Sequence, residues 1–575
     1  MKDINTQKSL RLERFSSLFE SASLAAGDRN DAMDKNMRQY LGSSEIDGSS
    51  ENALTVRNIT YEIIESEIDP TVPVPKVDAF SYSEERERRA TSIERLCSSL
   101  RERLPFEDLN DLDERYTYIY GASVWYVEWE QDNGDGDVRL HCICPKSFFG
   151  QPGITRIEDM EYCFLTFITT KSELMRKYGI SEEESALAEY EYKYEDSSDS
   201  DTVKVVLCFW RDDDGDVNRF IFSGELALED TPKLYKRKMA VCEICNSPVE
   251  RCSCGGAYQL VDLSTEEVRL GKKSLRIPYY TPTSFPIVIR KNSRSQDSLY
   301  GSSDCEMIRP QQQAINKVES RILQKLLRAG ITPIMPEDSS VTLGNSVFGQ
   351  VIKMRPGESA SSYGKIDTTP DISQDILEAD RLYDQAKRVL GISDALQGLD
   401  SSNVESGYAR QLKISQSASR LETKRRMKNL AYSEIYRLIF EHYLAFADRT
   451  QELTYKDGLG KVHKEEFNRH NYIEIGGADT PHYSASYLFS TEEDSESQYK
   501  REALWARNLQ NLESGTLGDK SSPATLLRYW QAQERAHYPY ARDNVEYFKS
   551  ILENENEKES EKINEQTDEK PIQNL

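Results

Sequence analysis

Residues 285–330 constrain this chain more than any other stretch. A short apolar strand, Phe285 to Ile289, runs into a polar loop around Tyr300-Gly301-Ser302, and a helix beginning near Pro310 carries Ile315, Val318, Ile322 and Leu326 at spacings of three and four. Those four residues share one face. Proline suits the first turn of a helix, where its missing N–H is no loss, and Gly330 supplies a left-handed stop. Between them about 20 residues make a rod of roughly 30 Å. A second helix is predicted over Leu377 to Leu390, broken at Gly391 and followed by a polar Ser/Asn/Gly loop. Val404 to about Ala447 then reads as a much longer helix, with Tyr408, Leu412, Leu421, Leu430, Ile435, Leu438 and Ile439 at its apolar positions.

At 575 residues the chain has room for several domains and large cores. Its 98 acidic residues exceed its 73 basic ones, a net charge of −25 that argues against broad adhesion to nucleic acid or anionic membrane. Met1-Lys2-Asp3-Ile4-Asn5 offers no apolar core for a signal peptide, and no run approaches the roughly 18 apolar residues of a membrane span. The expectation is a protein made and used in a cytoplasm, with no membrane partner.

The N-terminal half reads as alternating helices and hairpins. Leu10 to Leu41 is polar and helical, with Leu12, Phe15, Leu18 and Phe19 on one face, and Val56 to Ile68 is a second, shorter helix ending before a proline-rich run to Pro75. Glu84 to Leu112 looks helical and Tyr116 to Ile143 looks like paired strands; a second hairpin spans Val203 to Phe222. The acidic turns of these hairpins, at Asp132 and Asp212, invite comparison with calcium loops. An EF-hand needs a glutamate at its twelfth position, where these stretches have Ile143 and Ser223, so plain turns are the better reading. Ser181 to Asp201 is dense in Glu, Asp and Ser and reads as a solvated excursion. Tyr472 to Leu488 returns to strand-like alternation, and Glu496 to Glu513 and Pro523 to Leu552 read as helices. Residues 554–575 collapse to Glu, Lys, Asn and Gln without periodicity, the composition of a disordered tail.

Four of the ten cysteines are bunched: Cys242-x-x-Cys245, then Cys252-x-Cys254 followed by two glycines. Ten cysteines are too few for a disulfide framework in a chain of this length, and in a reducing compartment such a bunch points to metal. Zinc takes four soft ligands in a tetrahedron, and four thiolates leave no open position, so a bound zinc would be structural. Reduced, unliganded thiols are the alternative.

Enzyme signatures are missing. Gly271-Lys272-Lys273-Ser274 lacks the upstream glycine and the spacing of a phosphate-binding loop, no His-Glu-x-x-His or Gly-x-Ser-x-Gly occurs, and the six histidines are scattered. No catalytic chemistry is assigned. The most basic stretch, Arg410 to Lys428 on the long helix, either lines a nucleic-acid path or pairs with acidic neighbours.

The order of these pieces resembles the portal proteins of tailed bacteriophages: strand, Gly-Ser loop and Gln/Asn-bearing helix, then a helix ending in Gly391-Ile392-Ser393-Asp394, then Ser406, Gly407 and Ala409. The resemblance is clearest from about Phe285 to Ala447. Arg57-Asn58 and Pro73 to Pro75 stand where portals open their peripheral wing, although a surface helix and linker would read the same way. The resemblance implies an α+β subunit. Residues 1–300 would form a wing with a Cys-rich insert at 235–258, 301–330 and 370–390 two stem helices, and 331–369 a small α/β clip between them. Residues 391–407 would be a tunnel loop, 408–489 the long helix and remainder of the wing, and 490–553 a helical crown. The Cys-rich insert is not a feature of the family's general pattern.

The implied assembly is a homo-oligomeric ring, of twelve copies, at one capsid vertex of the virion. Double-stranded DNA would be packaged and ejected through its channel without sequence preference. Its partners would be the major capsid and scaffolding proteins, the terminase large subunit that hydrolyses ATP, and head-completion or adaptor proteins. Gln397, Asn403 and Lys413 are the candidate DNA-facing side chains. Two other readings compete: a zinc-stabilised nucleic-acid-processing enzyme, which needs a constellation not found, and a scaffold protein that forms no ring.

Overall fold

In the computed structural model the backbone is described for residues 2–43, 56–80, 83–132, 135–192, 201–242, 244–245, 252–254, 257–270, 273–293, 298–328, 331–334, 364–367, 370–392, 407–456, 462–475, 480–492, 494–535, 538, 541, 544–545 and 547–552. The fold is mixed α+β, with several small antiparallel sheets. Among the described residues no helix is long and apolar enough to cross a membrane.

The chain opens with α1 (Lys2–Ala25), α2 (Gly27–Tyr40) and α3 (Ile59–Glu67), and the proline run leads into a strand, β1 (Val74–Ala79). The predicted helix from Glu84 is two: α4 (Glu84–Arg103) and α5 (Phe106–Tyr120). Pro105 divides them, because proline drives the residue before it out of helical geometry; Leu104 is extended. Tyr116 to Tyr120, expected in a strand, is the last turn of α5. Its stop is Gly121, at φ 88°, whose N–H donates to the Thr117 carbonyl.

β2 (Ala122–Asp132) and β3 (Asp135–Ile143) then form a hairpin. Next come β4 (Phe148–Gly150), β5 (Tyr162–Thr170), α6 (Lys171–Tyr178), α7 (Glu182–Ser185), β6 (Tyr190–Tyr192), β7 (Thr202–Arg211), β8 (Val217–Ser223) and β9 (Leu226–Thr231). Their sheet has the order β4-β5-β7-β8-β9, with β6 beside β7. The expected solvated excursion is therefore partly structured: Ser181 and Glu184 form a capping box on α7, and Ala188 is buried. Residues 193–200 lie outside the described ones.

This sheet is covered on both faces. Phe164, Val206, Cys208, Phe220 and Phe222 point to one side, where Phe15 and Phe19 of α1 pack on them. Cys163, Leu165, Val205, Leu207, Phe209 and Ile221 point to the other, into a core shared with β2 and α5. Period-two alternation with apolar residues in both registers makes such a strand nearly continuously hydrophobic.

Two hairpins follow, β10 (Arg237–Cys242) with β11 (Tyr258–Leu263), and β12 (Thr265–Leu270) with β13 (Lys273–Pro278). β14 (Ile287–Lys291) returns to pair with β2. α8 (Asp304–Arg328) starts earlier than expected, and Pro310 lies inside it. Ser303 sets the start: its hydroxyl accepts from the Cys305 N–H and donates to the Ile119 carbonyl, capping the helix and tying it to α5. Ile315, Val318 and Ile322 are buried as expected, but Leu326 is exposed beyond the reach of the packed face.

β15 (Ile331–Ile334) pairs with β16 (Gly364–Asp367), and α9 (Ser373–Leu390) runs back along α8. Ile308 and Ile315 meet Tyr383, Ala386 and Leu390, while Val318 and Ile322 meet Ala379. Arg321 and Lys325 close on Asp375. Gly391, at φ 83°, ends α9. Residues 335–363 of the expected clip, the loop 393–406 and the tail 554–575 lie outside the described residues.

α10 (Gly407–Phe446) is the longest element, and from Ala431 onward it is the axis of the largest core. Tyr432, Ile435, Tyr436, Leu438, Ile439, Phe440, Tyr443 and Leu444 are buried nearly all round, against α4, Trp125 and the strands that follow. A helix apolar on every side needs cover on every side. The cover includes the hairpin β17 (Gln451–Lys456) and β18 (Val462–Phe467), the pair β19 (Ile473–Ile475) and β20 (Pro481–Tyr483), and β21 (Tyr487–Glu492), which pairs with β1 some 400 residues earlier. α11 (Asp494–Glu513) and α12 (Pro523–Arg535) close the order.

Beneath α10 lies a buried charge cluster. Arg290 donates to Asp113 and lies 2.7 Å from Glu114, and Lys428 lies 3.2 Å from Glu114. Trp125 Nε1 and the Ser123 hydroxyl also donate to Asp113. Two cations face two carboxylates, so the cluster is locally neutral, as burial of charge requires.

Candidate metal centre

The four bunched cysteines sit at one end of the β10–β11 hairpin. The register pairs Cys242, the last residue of β10, with Tyr258, the first of β11. A turn carries the chain from Cys242 to Cys245, and Cys252 and Cys254 lie on the returning side. Tyr235 is buried in the core beneath the large sheet, and the return strand continues to Leu263.

The sulfurs converge. Cys242 Sγ is 3.2 Å from Cys254 Sγ, Cys252 Sγ is 3.1 Å from Cys254 Sγ, and Cys245 Sγ is 3.6 Å from Cys252 Sγ and 3.4 Å from Cys254 Sγ. All four lie within 4.8 Å of one another, and none is in a disulfide. A tetrahedron with metal–sulfur bonds of about 2.3 Å has edges of about 3.8 Å. The observed spacings fall a few tenths short of that, so a small outward adjustment makes a four-coordinate thiolate shell. Cys242 is shielded from solvent, whereas Cys245 and Cys254 are exposed.

The local backbone favours the thiolate form. The Cys245 N–H, then the Cys254 side chain and the Ile244 N–H, point at the Cys242 sulfur and bring its pKa down to about 6. Backbone donors on a sulfur stabilise its anion, the species that binds metal.

The acidic turn at Asp212, Asp214 and Asp216 also brings carboxylates together. Here the partners are lysines: Lys233 lies 3.8 Å from Asp214 and 3.6 Å from Asp216, and Lys236 pairs with Asp216. Gly215, at φ 83°, makes the turn. A hairpin turn with cation-paired acids is a sufficient account of it.

Of the candidate DNA-facing residues, Gln397 and Asn403 lie outside the described residues, and Lys413 lies on α10 with its side chain outside them. Four members of the basic stretch have described side chains: Lys424 and Lys428 face inward, Arg425 is half-buried, and Arg426 is exposed beside Glu422. Lys424 reaches Glu67 and Asp304, and Lys428 reaches Glu114 and the Asp69 and Thr71 carbonyls. For these two, pairing with acidic neighbours is the correct reading. Composition did not signal the buried charge clusters, because Asp113, Glu114, Arg290 and Lys428 are residue types expected outside.

No protein-family model matches the chain, and no match is found among curated proteins.

Proposed function

We propose that this chain is the subunit of a portal-type ring, a passive channel for double-stranded DNA at one vertex of a phage capsid. One observation carries the reading. α8 is 25 residues, about 37 Å at ~1.5 Å per residue. A strand pair sits at its far end, and α9 returns antiparallel along it to a glycine stop before the 40-residue α10. That connectivity is what two stem helices, a clip between them and a tunnel loop behind them require of one chain. Heterologous contacts between such subunits close into a ring when the rotation per copy divides the circle.

On this reading residues 1–300 and 408–489 form the wing, 301–330 and 370–390 the stem, 331–369 the clip, 391–407 the tunnel loop and 490–553 the crown. The chain hydrolyses nothing itself; a terminase docked at the clip powers packaging, and head-completion proteins take its place afterwards. The chain's excess of acid keeps a moving duplex from settling, because phosphates meet few cations.

Cys242, Cys245, Cys252 and Cys254 would hold one zinc ion. With four thiolates the ion has no open position, so its contribution is to fasten the β10–β11 hairpin, a two-stranded sheet of the kind that is marginal alone.

Negative-stain microscopy of the purified protein tests the proposal. Rings with a central stain-filled passage are expected; a field of solitary particles without a passage would overturn it.

A further inference from the structure

Three distant parts of the chain meet in one buried joint. Lys424 Nζ on α10 lies 2.8 Å from Glu67 Oε2, at the end of α3, and 2.6 Å from Asp304 Oδ2, at the start of α8. Neither carboxylate side chain has exposed surface. Asp304 Oδ1 accepts from Asn292 Nδ2 at 2.9 Å, and Lys424 also lies over the Tyr118 ring of α5. The other Glu67 oxygen, Oε1, is buried and receives no hydrogen bond.

The charges do not balance. Two carboxylates share one ammonium, and the cations of the neighbouring cluster are already matched. Glu114 and Asp113 of α5 are matched by Arg290 of β14 and Lys428 of α10, with Asp69 at the rim of that group. A buried negative charge without a partner is removed most readily by taking up a proton.

The joint also lies ahead of the part of α10 that is anchored in the large core. Apolar anchoring of α10 in the large core begins at Ala431; in the turns before it, Lys424 and Lys428 make the buried polar contacts to the body. Asp304, for its part, is the first residue of α8.

We propose that the Glu67–Asp304 pair carries a single proton, and that losing it loosens α10 from α3 and α8, so that this joint is a proton-sensitive coupling between the α8–α9 arm and the body. Burial first, and the Asp304 charge second, push the Glu67 carboxyl well above the ordinary glutamate range against the pull of Lys424. For a carboxyl raised on folding, the stabilisation is complete at pH below its unfolded value and is lost as pH climbs through its folded value. The joint therefore opens on the alkaline side.

Two measurements on the full chain test this. In hydrogen–deuterium exchange, corrected for intrinsic rates, protection over residues 422–430 should fall about tenfold per pH unit while the closed joint holds a proton that the open one has lost, and level off once the closed joint loses it too, the slope of a one-proton linkage. Glu67→Gln, which has no proton to release, should give a flat profile. At neutral pH the infrared spectrum of the wild type should contain the carbonyl stretch of a protonated carboxyl that Glu67→Gln lacks. Identical exchange profiles in the two proteins overturn the proposal. If the variant fails to fold, a wild-type infrared spectrum without a protonated-carboxyl band overturns it alone.

Discussion

Replacing Arg290 by methionine tests the buried cluster under α10 and, through it, the way this body is held together. Arg290 has 1% of its side chain exposed, and Asp113 and Glu114 have none. In the native protein Arg290 and Lys428 balance Asp113 and Glu114; in Arg290→Met one carboxylate is left over, with Asp113 retaining only the neutral donors Ser123 and Trp125. Stranding one partner of a buried pair costs about 3–5 kcal/mol. Removing the stranded charge too, in Arg290→Met/Asp113→Asn, should recover about 2 kcal/mol or more, because replacing a whole buried pair by neutral groups is nearly free. The pH dependence has a definite sign. Burial alone would raise the Glu114 carboxyl, but Arg290 and then Lys428 outweigh it and hold the value below the ordinary glutamate range. That contribution is present above the unfolded value of about 4.3 and lost as pH falls through the folded one, so the gap between wild type and Arg290→Met should narrow in acid. Chemical denaturation followed by tryptophan fluorescence, at pH 7 and near pH 4, measures both effects. A loss under 1 kcal/mol at pH 7, or a double variant no more stable than the single, would refute the reasoning.

The other predictions concern the metal centre and the outer sheet face. Metal analysis of protein purified without chelator should find one zinc per chain, and Cys252→Ser should lose it while the remaining fold keeps its unfolding transition; four freely titrating thiols in the untreated wild type would rule out the site. Phe15→Ala should cost about 3–5 kcal/mol, because Phe15 is 1% exposed and packs on Trp210 and Phe220. A change below 1 kcal/mol would mean that α1 does not seal that face of the sheet.

What could be read from the sequence were the features whose cause is local. Spacings of three and four placed Ile315, Val318 and Ile322 on one face of α8, the Phe15/Phe19 stripe marked the buried side of α1, and Gly391 marked the end of α9. The Cys spacing alone was enough to anticipate four converging sulfurs. Helix boundaries failed where a competing local rule won. Ser303 capped α8 before Pro310 could begin it, and Pro105 cut one expected helix in two. The hairpin β17–β18 was illegible because its residues are mostly polar or charged, with only Leu453 and Phe467 fully turned inward among the described side chains. Lys424 and Lys428 look like any surface lysines in sequence; their partners Glu67, Asp304 and Glu114 come from 120 to 357 residues away. Pairing over such distances is a property of the assembled fold.

The central claim is that copies of this chain close around a passage, and the mass of the particle in solution is its most direct test. Light scattering on the purified protein should return a single species near twelve times 66.0 kDa, or a neighbouring multiple if the rotation per copy differs. A species at 66.0 kDa that does not grow with concentration would contradict the account.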